Sequence, residues 1–140
     1  MDKAIVEFIN EHHLLTLATS KDNVAYSCNI FYVFNQENNS FIFSSDTKTK
    51  HAQDFIANPN VAGTIALETK EISKIQGVQL LGEIIELKGD ELKIAREQYI
   101  KVFPYAEKMR LQLWEMKLTF IKMTNNRLGF GKKLIWEKNS

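Results

Sequence analysis

The stretch Ser44-Ser45-Asp46-Thr47-Lys48-Thr49-Lys50-His51 carries the densest set of groups able to do chemistry. It lies between an aromatic segment and one with apolar residues at helical spacing, so it falls where a strand ends and a helix begins. The first turn of a helix presents unpaired N–H groups and a partial positive charge, which suits an anion. Hydroxyls at Thr47 and Thr49, with ammonium groups at Lys48 and Lys50, would add hydrogen bonds and charge to a phosphate held there. The same residues also make an Asp46 N-cap followed by a solvated, lysine-rich turn, in which the Asp46 carboxylate would compete with a phosphate. Spacing leaves both readings open. The glycines of a Walker loop are absent.

Other reactive side chains are sparse. His12, His13, His51 and Cys28 are the only imidazole or thiol groups, and adjacent His12 and His13 diverge on any regular backbone. They read as helix-end and surface histidines rather than metal ligands. Cys28 has no neighbouring base and reads as a small strand residue. The acids Glu68, Glu71, Glu83 and Glu86 form no catalytic pair. Gly129-Phe130-Gly131-Lys132-Lys133 brackets an aromatic with two glycines, which permits either a tight turn or a close backbone approach to a ligand or another chain.

The elements that must position these groups follow from periodicity. Ile5, Phe8 and Ile9 predict a helix over residues 2–11, closed by His12-His13. Leu14 to Thr19, Ala25 to Phe34 and Phe41 to Phe43 read as three strands of an antiparallel meander with polar turns. A helix over residues 47–56, capped by Asp46, buries Ala52, Phe55 and Ile56. Strands follow at Val61 to Leu67 and Val78 to Leu87. Then come a helix from Glu91 to Val102 (apolar face Ile94, Ala95, Tyr99, Val102), a strand from Trp114 to Met123 and a short return between Leu128 and Trp136. Within Trp114 to Met123, the residues Trp114, Met116, Leu118 and Phe120 share one face. Together they predict one mainly β domain over residues 1–140, a six- to seven-stranded antiparallel barrel with flanking helices.

Composition bounds the function. The chain has 140 residues, 18 basic and 17 acidic, for a net charge of +1. That balance gives no basic stripe for nucleic acid. One cysteine excludes an internal disulfide framework. No apolar run reaches the roughly 18–20 residues of a membrane span, and the N-terminus lacks a signal-peptide layout. A cytoplasmic protein is expected, with no nucleic-acid or membrane partner.

TLATSKDNVAYSCNIFYVFN, FIFSSDTKTKHAQDFIANPNVAGTI and GVQLLGEIIEL, in that order, resemble the pyridoxamine 5'-phosphate oxidase-like split barrel that binds FMN. MTNNRLGFGKKLIW with IQGVQLLGE is similar to its short YhbP-like branch. The resemblance runs from Leu14 to Trp136 and implies a homodimer with two FMN sites in its interface. It places Cys28, Asn29 and Ile30 along the isoalloxazine ring, and Ser44 and Ser45 near the flavin and its ribityl phosphate. Thr49, Lys50 and His51 fall where many relatives carry Ser-Arg-Lys, which favours the phosphate reading. Lys50 replacing arginine loses a bidentate grip, and His51 replacing lysine makes the charge pH-dependent. Gly77 stands where the oxidases hold a flavin-contacting glutamine, and Gln79 is the candidate substitute. Phe130 and Lys132 correspond to the part that closes over the cofactor from the other subunit.

The Arg- and His-bearing terminal segment of the true oxidases has no counterpart, so pyridoxamine phosphate oxidation is not expected. The resemblance implies an FMN-dependent oxidoreductase of unidentified substrate. A cofactor-binding module without turnover, for FMN or haem, is the alternative, and an interaction protein with a decayed flavin site is a third. Lys50→Ala is expected to weaken FMN binding more than folding.

Overall fold

The computed structural model describes residues 1–139. Helix α1 (Lys3–Glu11) is capped by Asp2, whose carboxylate accepts the Ala4 N–H at 2.8 Å, and it buries Ile5, Phe8 and Ile9 as its spacing predicts. Strands β1 (Leu14–Lys21) and β2 (Val24–Phe31) form a hairpin in full register, from Leu14 opposite Phe31 to Lys21 opposite Val24. Asp22 and Asn23 turn it with φ of 52° and 63°, the doubly left-handed geometry that tight hairpins favour and these side chains tolerate.

The sheet continues through β3 (Val33–Asn35), β4 (Ser40–Ser44), β5 (Asn60–Ala66), β6 (Gln76–Glu86), β7 (Leu113–Asn125) and β8 (Lys133–Glu137). Its order is β2-β1-β5-β6-β7-β4-β3, with β8 also on β7. The predicted meander is therefore corrected. The 25–34 run breaks at Tyr32, and its two parts lie at opposite ends of the strand order. Tyr32 is held there by its own bonds: its N–H donates to the His13 carbonyl (3.1 Å) and its hydroxyl to the buried Ile9 carbonyl (2.6 Å). The end of the run keeps its expected hairpin with β4, Phe34 opposite Phe41, and the other edge of β4 pairs with β7 rather than β2. The result is a curled half-barrel of eight antiparallel strands flanked by three helices.

Strand β7 is the spine. One edge is taken by β6; along the other, Leu113–Lys117 pair with β4 and Phe120–Thr124 pair with β8. Opposite Leu81 and Gly82 stand Phe120 and Leu118, so Thr119 is an extra residue. This bulge inverts the in–out phase: Met116 and Leu118 are buried, then Ile121 and Met123, while Phe120 turns outward. The predicted single phase through Phe120 is corrected accordingly. Gly82 faces the bulge, where a Cβ would lie 2.7 Å from the Lys117 carbonyl oxygen.

The main core joins α1 to the sheet through Phe8, Leu15, Leu17, Phe41, Phe43, Phe55 and Met116. A second cluster sits under α3 (Gly89–Val102): Val33, Ile42, Leu87, Ala95, Tyr99, Ala106 and Leu113. Helix α3 turns Ala95 and Tyr99 inward but leaves Ile94 and Val102 exposed, so its buried face is rotated from the predicted one. Pro104 stops α3, and a short 3-10 segment (Pro104–Lys108) leads to β7.

Candidate functional site

Helix α2 runs Lys50–Ala57, three residues later than predicted, and its N-cap is Thr49 rather than Asp46. Asp46 instead closes the preceding turn. Its carboxylate accepts the Lys48 N–H (2.8 Å), and its carbonyl accepts the Thr49 N–H (3.0 Å) and the Thr49 hydroxyl (2.8 Å). The Thr47 N–H is drawn off to the Gln112 side-chain oxygen (2.7 Å), which keeps Thr47 out of the helix. The Thr49 hydroxyl oxygen accepts from the Ala52 N–H at 3.3 Å. The backbone N–H groups of Lys50 and His51 have no acceptor among the described residues. Ile56 is exposed, while Ala52, Asp54 and Phe55 face inward.

Against this helix end lies Ser45. Its N–H donates to the Gln112 carbonyl (3.0 Å), and its carbonyl accepts the Trp114 indole N–H (3.0 Å). Its hydroxyl lies 2.8 Å from His51 Nε2, and the Thr49 hydroxyl lies 3.4 Å from the same nitrogen. His51 is half-buried. Burial lowers its pKa, partly opposed by the Asp54 carboxylate, so the ring is neutral at pH 7. Ser44 ends β4 one residue earlier, opposite Leu113.

Lys50 is not a free cation. Its ammonium lies 3.2 and 3.3 Å from the two oxygens of buried Asp54 and 4.8 Å from the centre of the Tyr26 ring. Asp54 also accepts the Thr19 hydroxyl at 2.8 Å. Burial works against the ionised carboxylate, but the Thr19 and Lys50 hydrogen bonds, with the charges of Lys50 and Lys21, outweigh it and hold the pKa below the ordinary range. This network ties β1, β2 and α2 together. The Lys50–Asp54 spacing of four residues is a signal visible in the sequence, whereas the partners Thr19 and Tyr26 are not.

The remaining candidates lie elsewhere. Cys28 turns toward the main core, and burial raises its thiol pKa, so it stays protonated. Ile30 is buried. Asn29 faces outward and accepts the Thr16 hydroxyl at 2.8 Å. Strand pairing aligns Asn29, Thr16, Thr64, Gln79 and Lys122 in one row across β2, β1, β5, β6 and β7. Asn29 and Gln79 thus share the open face of the sheet, three strand spacings or about 14 Å apart. Phe130 is 81% exposed at the tip of the β7–β8 turn, beside exposed Lys132. Gly129 and Gly131 have φ of 137° and 70° there, and the Asn126 side chain accepts the Gly131 N–H at 2.9 Å.

The candidates therefore split into two groups. Ser44 adjoins the start of β7, whereas Phe130 and Lys132 follow its end. Thirteen residues of strand separate the two ends by about 40 Å along β7. One chain brings Ser45, Thr49, Lys50 and His51 together but does not bring Phe130 or Lys132 to them. Among the described residues, no three His, Cys, Asp or Glu side chains gather as a metal site, and no helix is long and apolar enough to cross a membrane.

Known proteins share both the sequence and this architecture. A UPF0306 protein of Photorhabdus laumondii is 40% identical over 134 residues, 96% of this chain and 94% of that protein. A heme binding protein from Mycobacterium smegmatis superposes with a TM-score of 0.79 at 16% identity, over 98% of this chain and 59% of that one. A FAD-binding protein from Mesorhizobium loti gives 0.72 at 14% identity, over 88% and 94%. At these identities the two structures establish the fold alone. The family described as pyridoxamine 5'-phosphate oxidase matches residues 1–125, and the chain belongs to that family.

Proposed function

We propose that this chain is a homodimeric, cytoplasmic FMN-binding protein that exchanges electrons with a small-molecule partner, and that it does not oxidise pyridoxamine phosphate. The observation that carries the reading is the separation of complementary groups to opposite ends of β7. A two-fold partner running antiparallel would set the Phe130 turn of one protomer against the Ser45–His51 cluster of the other.

The donor set suits the phosphate end of the cofactor. The Lys50 and His51 N–H groups, the Ser45 and Thr49 hydroxyls and the half-exposed Lys50 ammonium offer hydrogen bonds and one charge. Asn29 and Gln79, about 14 Å apart on the open face, would meet opposite ends of the ring, and Phe130 and Lys132 of the partner subunit would close over it. Bound FMN supplies hydride and single-electron chemistry, while the protein sets its orientation and potential. No side chain then has to act as a base, in keeping with a cluster whose carboxylates are committed, Asp54 to Thr19 and Lys50 and Asp46 to the Lys48 N–H.

Lys50 also neutralises buried Asp54, so Lys50→Ala would disturb folding as well as binding. His51→Ala and Gln79→Ala are the cleaner probes. Titration with FMN, followed by flavin fluorescence quenching, is expected to show weaker binding for both variants, with unchanged melting in Gln79→Ala and a lower melting temperature in His51→Ala, which loses the Ser45 bond. Unchanged affinity in both would remove this site. Haem binding without turnover is the second reading, favoured by the Mycobacterium smegmatis likeness and by exposed His13. A Soret band lost in His13→Ala would establish it instead.

A further inference from the structure

A cavity of about 370 Å³ lies between α3 and the sheet, and it shares no lining residue with the proposed cofactor site. Its floor is the face of β4 and β7 that carries Ile42 and Glu115, which stand opposite each other in the pairing. Gln98 and Ala95 of α3 form one wall, and Trp136 of β8 with Lys138 closes an end. The volume is that of a small-molecule site.

Glu115 is the unusual feature. It sits in a run of buried residues, Leu113 to Met116, and is itself only 6% exposed. A carboxylate removed from water needs several hydrogen bonds or a counter-charge. Glu115 receives one hydrogen bond, from the Ser40 hydroxyl at 2.9 Å, and makes no ion pair among the described residues. Two lysines line the same cavity, Lys117 and Lys138, and exposed Glu91 completes its charged groups. Lys117 is two residues beyond Glu115 on the same strand face, about 7 Å away along the chain.

We propose that this cavity binds a small zwitterion of the amino-acid class with an apolar side chain. Its ammonium group pairs with Glu115, its carboxylate faces Lys117 and Lys138, and its side chain lies against Ile42, Ala95 and Trp136. An ammonium there adds a counter-charge to a carboxylate whose one side-chain partner is the Ser40 hydroxyl. The balanced lining charge selects a molecule carrying both signs over a simple anion or cation.

The test uses the full chain and isothermal titration with three probes: L-phenylalanine, 2-phenylethylamine (no carboxylate) and 3-phenylpropionate (no ammonium). L-Phenylalanine is expected to bind, with 3-phenylpropionate at least about tenfold weaker, the size of one charged hydrogen bond. Glu115→Gln, which keeps the shape and the Ser40 contact, should lose the same factor for L-phenylalanine and leave 3-phenylpropionate unchanged. Lys117→Ala, an exposed position that folding tolerates, should weaken L-phenylalanine while sparing 2-phenylethylamine. No binding of L-phenylalanine at millimolar concentration, or equal binding of all three probes, overturns the proposal. So does an unchanged affinity in Lys117→Ala, which keeps the test decisive even where Glu115→Gln fails to fold.

Discussion

Tyr32→Phe removes one oxygen atom and nothing else from the point where β2 and β3 part. The Tyr32 hydroxyl donates to the Ile9 carbonyl at 2.6 Å, inside the main core. Ile9 is in the last turn of α1, where carbonyls have no amide four residues ahead to bond. Its neighbour Phe8 is served by His12, whose Nδ1 lies 2.8 Å from the Phe8 carbonyl oxygen. Tyr32 is thus the second side-chain cap on the helix that covers the barrel. The Phe variant keeps the aromatic ring and its contact with Phe41 (centroids 4.7 Å apart). What is lost is the bond, and a carbonyl is left buried and unpartnered, at a cost of about 1–3 kcal/mol. With a urea slope of about 1–3 kcal/mol/M, the midpoint should fall by roughly 1 M at unchanged slope. Urea unfolding followed by circular dichroism measures this. A midpoint equal to that of the native protein would refute the capping role and the account of why the chain breaks at Tyr32.

Three further outcomes follow from the same structure. Gly82→Ala places a Cβ 2.7 Å from the Lys117 carbonyl oxygen and should destabilise by about 1–3 kcal/mol in the same urea assay. Burial holds the His51 pKa below 6.5, so its neutral form contributes stability that is full above that value and drains as pH falls through the lower folded value. Melting temperatures between pH 7.5 and 5 should therefore fall less steeply in His51→Gln than in the native protein. The contribution of Asp54, whose pKa is also depressed, is lost only below the ordinary carboxylate range, so the two windows separate. Phe130→Ala should leave the circular dichroism spectrum unchanged, because Phe130 is 81% exposed, while weakening FMN retention and dimerisation measured by sedimentation.

Local signals gave most of the elements. The Ile5–Phe8–Ile9 spacing, the Asp22-Asn23 turn and Pro104 each act on neighbouring residues, so each is readable from the chain around it. Strand order is non-local: nothing within residues 25–43 says that β4 prefers β7 to β2. The bulge at Thr119 arises from its pairing with β6, which a single strand's alternation cannot reveal. Capping moved from Asp46 to Thr49 because Gln112, 65 residues away, takes the Thr47 N–H. The same limit applies to the site. Ser45, Thr49 and His51 fall in one short stretch of sequence and are legible together. The Lys50–Asp54 spacing is readable in the same way, but the burial of Asp54 is not, because its Thr19 partner comes from strand β1. Glu115 reads as one more polar residue of an alternating strand until Ser40 and α3 enclose it.

The most direct test of the cofactor reading is a single sedimentation-velocity run on the full chain with FMN, recorded at 280 nm and at the flavin band near ~450 nm. One boundary at dimer mass is expected in both channels, with about one FMN per chain, and loss of the flavin signal from that boundary in His51→Ala. A protein boundary that carries no flavin at saturating FMN would contradict that reading.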